Sequence, residues 1–317
     1  MYCLFVFLLL LAAEWVYFRL ADRFDIIDKP NERSSHTRIT WRGGGIVFYV
    51  GALVYFVGSG FEYPWFIGGL TLIAGVSFVD DIRSVAPKIR LILHFTAMVL
   101  LFYQLGMEEL HWWYIPLALV VCTGIINAYN FMDGINGITG GYSLIVLGAL
   151  AYVNEFRVSF VEPQLLWGIL LAVAVFCLFN FRKRAKCFAG DVGSVGIAFV
   201  ILFLLGKLIL QTGDPGYIIL LVVYGVDSML TIIHRLMLHE NIGLPHRKHL
   251  YQLMANELKI PHTLVSLFYM LLQGVVFIGY LACYAYRWWY FTATILFLAV
   301  GYCLFMRKYF HLHADGK

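Results

Sequence analysis

The sequence predicts an all-α, polytopic membrane protein of about eleven transmembrane helices, with its N-terminus outside and its C-terminus in the cytoplasm. Three observations carry that prediction. Of the 317 residues, 61% are apolar and only 13% charged, with a mean hydropathy of +0.79, more apolar surface than a water-soluble fold can hide. Apolar runs recur at close to the length of about 20 residues that spans a bilayer, and the basic residues gather in alternate loops.

The runs fall at 3–20, 46–60, 63–79, 89–105, 112–129, 137–153, 164–181, 193–210, 215–233, 262–284 and 288–306. Helices follow from the solvent, because backbone facing lipid must satisfy its own hydrogen bonds. The first run has no basic residue before it and flows into further hydrophobic sequence, which predicts a retained helix and not a signal peptide. So many spans leave no room for a soluble module, so residues 1–317 read as one transmembrane domain. Cys3, Cys122, Cys177, Cys187, Cys283 and Cys303 stand singly without C-x-x-C spacing, which reads as packing and not as zinc or redox chemistry.

Orientation comes from Arg23, Lys29, Arg33, Arg38 and Arg42, then Arg83, Lys88 and Arg90, then Arg182, Lys183, Arg184 and Lys186. Arg235, Arg247, Lys248, Lys259, Arg307, Lys308 and Lys317 continue the pattern, and of the 23 Lys and Arg only Arg157, Lys207 and Arg287 fall outside it. The positive-inside rule makes those loops cytoplasmic. The opposite loops are short and mostly acidic, so an anionic ligand from the aqueous phase is expected at the inner face.

Candidate chemistry clusters on that side. The third run ends in Asp80-Asp81, the fifth in N-A-Y-N-F-M-D-G-I-N-G-I-T-G-G (Asn127 to Gly141), and A-G-D-V-G-S (Ala189 to Ser194) precedes the eighth. Carboxylates at the ends of apolar helices are costly unless paired, solvated or cation-bound. Together with amide oxygens they suit Mg²⁺, which takes one or two protein carboxylates and completes its shell with water and phosphate. Asp80-Asp81 reads equally as a solvated helix end with Arg83 as counter-ion. Adjacent helical residues point about 100° apart, so the two carboxylates are expected to differ in role. Asp191 also reads as an N-cap of the eighth helix, at a terminus that would itself attract an anion. Asn127 and Asn130 share a helical face, and Asp133-Gly134 is where that helix should stop.

The longest inner loop, His234 to Met254, carries His246, Arg247, Lys248 and His249, followed by Leu250, Leu253, Met254 and Leu258 at the spacing of a surface helix. Basic residues here anchor a membrane as readily as they bind a ligand, whereas two histidines at this spacing suit phosphate contact or proton transfer. The first inner loop, N-E-R-S-S-H-T-R-I-T-W-R-G-G-G (Asn31 to Gly45), offers Ser35, His36 and Arg42 for diphosphate or lipid-phosphate contact. Asp227, seven residues before His234, is expected to face the same way as that histidine, and the residues give it no further role.

Taken together, R-S-S-H-T-R-I-T-W-R-G-G-G, V-D-D, N-A-Y-N-F-M-D-G-I-N-G, G-D-V-G-S, D-S-M-L-T-I-I-H-R and P-H-R-K-H-L-Y-Q occur in the order of the polyprenyl-phosphate N-acetylhexosamine-1-phosphate transferase family, which the chain resembles over nearly its whole length. The resemblance implies transfer of a sugar-1-phosphate from a UDP-N-acetylhexosamine to undecaprenyl phosphate, releasing UMP, with Mg²⁺ (or Mn²⁺) as cofactor. It implies a metal-holding Asp191, an acidic pair Asp80 and Asp81 near the attacking lipid phosphate, and a nucleotide-side cluster of Asn127, Asn130, Asp133 and Asn136. His246 and His249, with Arg247 and Lys248, would meet the diphosphate or sugar. Direct attack by the lipid phosphate is favoured over a covalent aspartyl-phosphate, since a phosphate monoester is already an anionic nucleophile. The sequence departs from the family pattern at Asn136, where a second aspartate is usual, at Trp41, where proline is common, and in lacking the successive histidines of the peptidoglycan translocase. The branch that begins O-antigen or capsular polysaccharide in the bacterial inner membrane is therefore nearest. The lipid bilayer is the other expected partner, a homodimer stays open, and nucleic acid is not expected.

The rival from another class is a secondary transporter of an anionic solute, which would bind near the midplane and show repeated halves. Here the polar groups sit at inner helix ends and no internal repeat is visible. A CDP-alcohol phosphatidyltransferase would need a compact multi-aspartate helix that the chain lacks.

Overall fold

The computed structural model describes residues 2–28, 39–244 and 246–314. Ser35 and His36 lie outside the described residues. The chain is almost wholly helical: α1 (Tyr2–Arg23), α2 (Ile46–Gly58), α3 (Pro64–Ile82), α4 (Pro87–Gln104), α5 (Tyr114–Met132), α6 (Ile138–Phe156), α7 (Pro163–Asn180), α8 (Gly190–Thr212), α9 (Val222–Met237), α10 (Leu250–Gln252), α11 (His262–Ala282), α12 (Arg287–Tyr309) and α13 (His311–Ala314). A 3₁₀ segment, Pro215–Leu221, runs into α9, so the apolar stretch Pro215–Met237 acts as one span. The long helices match the predicted runs to within a few residues.

Among the described residues, eight of them are long and apolar enough to cross a membrane: α1, α3, α5, α7, α8, the Pro215–Met237 stretch, α11, and α12 with the turn before it. Three of the eleven expected spans, α2, α4 and α6, fall short of that length and apolarity. Ile46–Gly58 has only 13 residues, α4 opens with Lys88 and Arg90, and α6 is diluted by Gly140, Gly141, Asn154 and Glu155.

The centre of the bundle is α8, 83% of whose apolar window is buried, whereas α5 and α12 are 17% buried and present apolar side chains outward. A helix apolar on all sides belongs in a core or in lipid. Aromatic packing ties α8 to α3: Phe66 stacks on Phe203 with centroids 4.1 Å apart and lies parallel to Phe199 at 6.0 Å. Because consecutive helices alternate in direction, the C-terminal ends of α3, α5, α7 and α9 meet the N-terminal ends of α8 and α11 at one end of the bundle. A two-residue ribbon closes that end. Ile27 and Asp28 pair antiparallel with Trp41 and Thr40, and Trp41 bridges in parallel to Cys187 just before α8.

The surface helix expected after His249 does not form as such. Leu250–Gln252 makes one α-turn and Leu253–Glu257 a π-turn, with Tyr251 and Leu253 fully buried. The apolar side chains plug the bundle end between α9, α11 and α12 instead of lying on lipid.

Candidate active site

The site is built around the start of α8. Gly45 packs so closely on that helix that a Cβ would lie 2.2 Å from the Gly193 Cα and 2.9 Å from the Ala189 carbonyl oxygen, and Gly190 adopts φ +70° with its missing Cβ 2.5 Å from Asp81 Oδ2. Only glycine permits both. The approach is fixed by the amides of Gly44 and Gly45, which donate to the carbonyls of Phe188 and Ala189 at 2.9 and 3.1 Å. It brings Arg42 over the end of α3.

Asp81 is the hub. Its side chain is fully buried; Oδ1 accepts from Arg42 Nε at 2.7 Å and from the Asp191 amide at 3.0 Å, while Oδ2 accepts from the Val192 amide at 3.1 Å. This corrects the expected cap. Asp191 makes no side-chain cap; the unpaired amides at the start of α8 are met by a carboxylate from α3, and the anion drawn by that helix terminus is the protein's own. The Asp191 carboxylate is thereby released. It is 23% exposed and lies 3.5 Å from Arg42 Nη2. Burial works against the charge on Arg42, but Asp81, Asp191 and Asp28 outweigh it and hold the guanidinium above its ordinary range.

Asp80 points the other way, as helix geometry requires. Its Oδ1 accepts the Val85 amide at 2.7 Å and its Oδ2 pairs with Arg90 at 2.9 Å, closing the turn from α3 to α4. Both oxygens of each adjacent carboxylate therefore have partners.

Asn127, Asn130 and Asp191 line one cavity of about 470 Å³ between α3, α4, α5 and α8. Ser77, Arg90, His94 and Thr123 complete its polar part; Leu91, Phe95, Met98, Leu119, Ile126 and Val195 form an apolar wall. Asn130 Oδ1 accepts from the Ser194 hydroxyl at 2.9 Å, and Asn127 Nδ2 donates to the Thr123 carbonyl at 3.0 Å, which leaves the Asn127 amide oxygen unengaged by that bond. Helix α5 stops at Met132 as predicted. Asp133 follows, accepting from Thr139 Oγ1 at 2.6 Å; burial, with Asp191 and Asp81 adding charge of like sign, pushes its carboxyl up to about 7 against the opposing Thr139 hydroxyl and Arg42.

Other expected residues are brought elsewhere. Asn136 is buried and knits the chain: Nδ2 donates to the Arg182 carbonyl at 3.0 Å and its own carbonyl accepts from Ser266 at 2.8 Å, so it does not face the cavity. Lys248 pairs with Glu240, which Arg235 also holds at 3.1 Å. His246 accepts the Lys248 amide at 3.4 Å, and burial with the neighbouring His249 and Arg235 pushes its imidazole down to about 3, a neutral ring at physiological pH. Arg247 also has an interaction partner. His249 is buried beside Asp227, not solvated at a membrane surface, while His234 packs against Phe310 with centroids 4.4 Å apart. Asp227 and His234 lie seven residues apart on α9, and Asp227 meets His249 there.

Sequence reasoning passed over Glu14, Arg90 and His94. Glu14 is fully buried in α1, with one carboxylate oxygen 3.6 Å from Cys187 Sγ and the other without a partner among the described residues. One turn on, Tyr17 donates to the Arg42 carbonyl. A lone carboxylate within an apolar helix is itself a signal. His94 lies one turn after Arg90, the helical spacing that puts both on the cavity side.

The residues present fit a hard divalent cation. Asp191 and the amide oxygens of α5 are the donors Mg²⁺ prefers, and among the described residues no group of three or more His, Cys, Asp and Glu forms the closed cage that zinc would use.

The sequence model of glycosyl transferase family 4 matches residues 63–208, which span α3 to α8 and hold Asp80, Asp81, the asparagines and Asp191. A probable undecaprenyl-phosphate N-acetylglucosaminyl 1-phosphate transferase of Bacillus subtilis is 27% identical over 259 residues, 75% of this chain and 72% of that protein. Undecaprenyl-phosphate alpha-N-acetylglucosaminyl 1-phosphate transferases of Yersinia pestis and Escherichia coli O157:H7 are each 24% identical, covering 95% and 90% of this chain and 90% and 85% of their own length. The motifs that carry the sequence resemblance are thus ones that meet at one end of the bundle, in a chain that is similar to glycosyl transferase family 4 over residues 63–208 and to undecaprenyl-phosphate N-acetylglucosaminyl 1-phosphate transferases over most of its length.

Proposed function

We propose that this chain transfers an N-acetylhexosamine-1-phosphate from a UDP-sugar to undecaprenyl phosphate and releases UMP, at the cytoplasmic face of a bacterial inner membrane, as the first membrane step of a cell-surface polysaccharide. The observation that carries the reading is one cavity in which an apolar wall from α4, α5 and α8 meets Asp191, Asn127 and Asn130. A lipid phosphate needs that pairing of surfaces. N-Acetylglucosamine is the first sugar to try, because it is the one named for the relatives.

The reaction joins two anions. Asp191 would hold Mg²⁺, which would supply positive charge that lowers their repulsion. Arg42 lies 3.5 Å from Asp191 and supplies fixed positive charge where charge gathers on the departing UMP. Asp81 orients Arg42 and anchors the start of α8, which keeps both groups in place without reorganisation. A nucleophilic aspartate is disfavoured, since every oxygen of Asp80 and Asp81 already accepts a hydrogen bond. An oxygen of the lipid phosphate attacks the sugar-bound phosphorus directly; the bond from that phosphorus to the bridging oxygen breaks, and the electron pair leaves with UMP.

The purified protein is given undecaprenyl phosphate, Mg²⁺ and a panel of UDP-N-acetylhexosamines. UMP release that requires lipid and metal together is expected, and the productive sugar names the donor. Silence of folded protein across the panel overturns the reading in favour of transport. Asp191→Asn is expected to raise the Mg²⁺ concentration for half-maximal release at least about tenfold, and an unchanged metal dependence would remove Asp191 from the metal site.

A further inference from the structure

Asp227 takes no part in the chemistry above, yet four elements converge on it. It is buried in α9. Its Oδ1 lies 3.3 Å from His249 Nδ1 and accepts the Leu250 amide at 3.1 Å and the Thr231 hydroxyl at 3.2 Å; Oδ2 accepts from Tyr269 of α11 at 2.6 Å. Thr231 in turn meets Tyr302 of α12 at 3.0 Å. The carboxylate is held from every side, so it has little freedom to follow the imidazole. The imidazole must follow it.

His249 is 1% exposed. Its other ring nitrogen, Nε2, is buried with no partner among the described residues. Buried polar atoms without partners are rare and call for a cause. A histidine kept only to fasten a loop would be expected to use both nitrogens. Here one is fastened and the other spare, an arrangement that fixes which nitrogen is free. The ring lies against Phe131, centroids 6.1 Å apart, in the last turn of α5 and two residues before Asp133. Tyr251 locks that contact by donating to the Phe131 carbonyl at 2.8 Å. His249 is therefore built onto the end of the helix that carries Asn127 and Asn130.

We propose that Asp227 is a positioning residue: it holds Nδ1 of His249 so that Nε2 is the nitrogen offered to the UDP-sugar, an inference that rests on the transferase reading. The positioning would act on kcat/KM through His249 alone.

The test is a double-mutant cycle in UMP release with Asp227→Asn, His249→Ala and the pair, read beside thermal midpoints of the detergent-purified proteins. Asp227→Asn should lower kcat/KM at least tenfold, and the double variant should match His249→Ala within about twofold, because a positioning residue has nothing left to position. Equal fold-losses from Asp227→Asn with and without His249 would overturn the proposal and leave Asp227 a structural clamp. Should Asp227→Asn fail to fold, His249→Gln and His249→Asn decide the matter with Asp227 intact. The Gln amide reaches the Nε2 position and the Asn amide the Nδ1 position, so Gln should retain at least tenfold more kcat/KM, and the opposite order would refute the assignment. Additivity in a wild-type-active enzyme sinks this inference alone, whereas no release by the wild type overturns the transferase reading and this inference with it.

Discussion

Two adjacent carboxylates in this site should respond very differently to the same substitution. Asp81→Asn removes the charge that Arg42 and the first α8 amides share, and turns one of its two oxygens into a donor. With the remaining oxygen facing Arg42 and the Asp191 amide, the new NH₂ confronts the Val192 amide at the former 3.1 Å contact, donor against donor. Removing one partner of a buried ion pair costs about 3–5 kcal/mol. Arg42 is 35% exposed, so water recovers part of that and the low end, about 3 kcal/mol, is the better figure. At about 1.4 kcal/mol per factor of ten, kcat/KM should fall by about a hundredfold, with a lowered thermal midpoint. Asp80→Asn can keep its bond to the Val85 amide and loses only a pair whose arginine is 44% exposed, worth about 0–1 kcal/mol; less than about a fivefold loss follows. UMP release at saturating Mg²⁺, measured alongside melting in detergent, compares the two. If Asp80→Asn proves as damaging as Asp81→Asn, the assignment of roles from their hydrogen bonds is wrong.

Gly45→Ala places a methyl 2.2 Å from the Gly193 Cα, backbone that cannot swing aside; the overpacking should destabilise by about 1–3 kcal/mol, visible as a lower midpoint, and an unchanged midpoint would show that the loop shifts freely. Asp133, its carboxyl pushed up to about 7, binds a proton more tightly folded than unfolded, so the stability it confers is full below about pH 4 and is lost as pH rises through about 7. Melting scans from pH 5 to 8 should fall more steeply for the wild type than for Asp133→Asn, and parallel curves would exclude the shift. Asn136→Asp restores the residue usual in the family but turns the donor to the Arg182 carbonyl into an acceptor; a buried repulsion of about 1–3 kcal/mol should lower the midpoint without raising activity, and a gain in UMP release would contradict this.

The helices were legible because lipid imposes an apolar run on each one, and the stop of α5 was legible because Asp133-Gly134 is a local signal. Asn127 and Asn130 were legible as a pair for the same local reason, being three residues apart on one helix. What could not be read was whatever depends on two distant segments meeting. Nothing near Asp191 says that Asp81, 110 residues earlier, takes over the capping of α8 and frees its neighbour. Nothing near Asp227 says that a histidine 22 residues on will fold back against it. The periodicity of Leu250, Leu253 and Met254 was real, but the partner it implied was a bilayer surface, whereas the bundle end buries those side chains.

The Arg42–Asp81–α8 junction also bears on how the chain is made. Asp81 enters the membrane with its helix while the amides it will hold, 110 residues later, do not yet exist. At about 5–20 residues per second, it waits roughly 5–20 s on the ribosome's clock. Arg42, 39 residues earlier, is already present and can neutralise the carboxylate in that interval, so the ion pair serves as a temporary partner before it serves as part of the site. Removing Arg42 would then be felt first as poor yield, with nascent chains surrendered to membrane quality control, and only afterwards as slow catalysis in the molecules that survive.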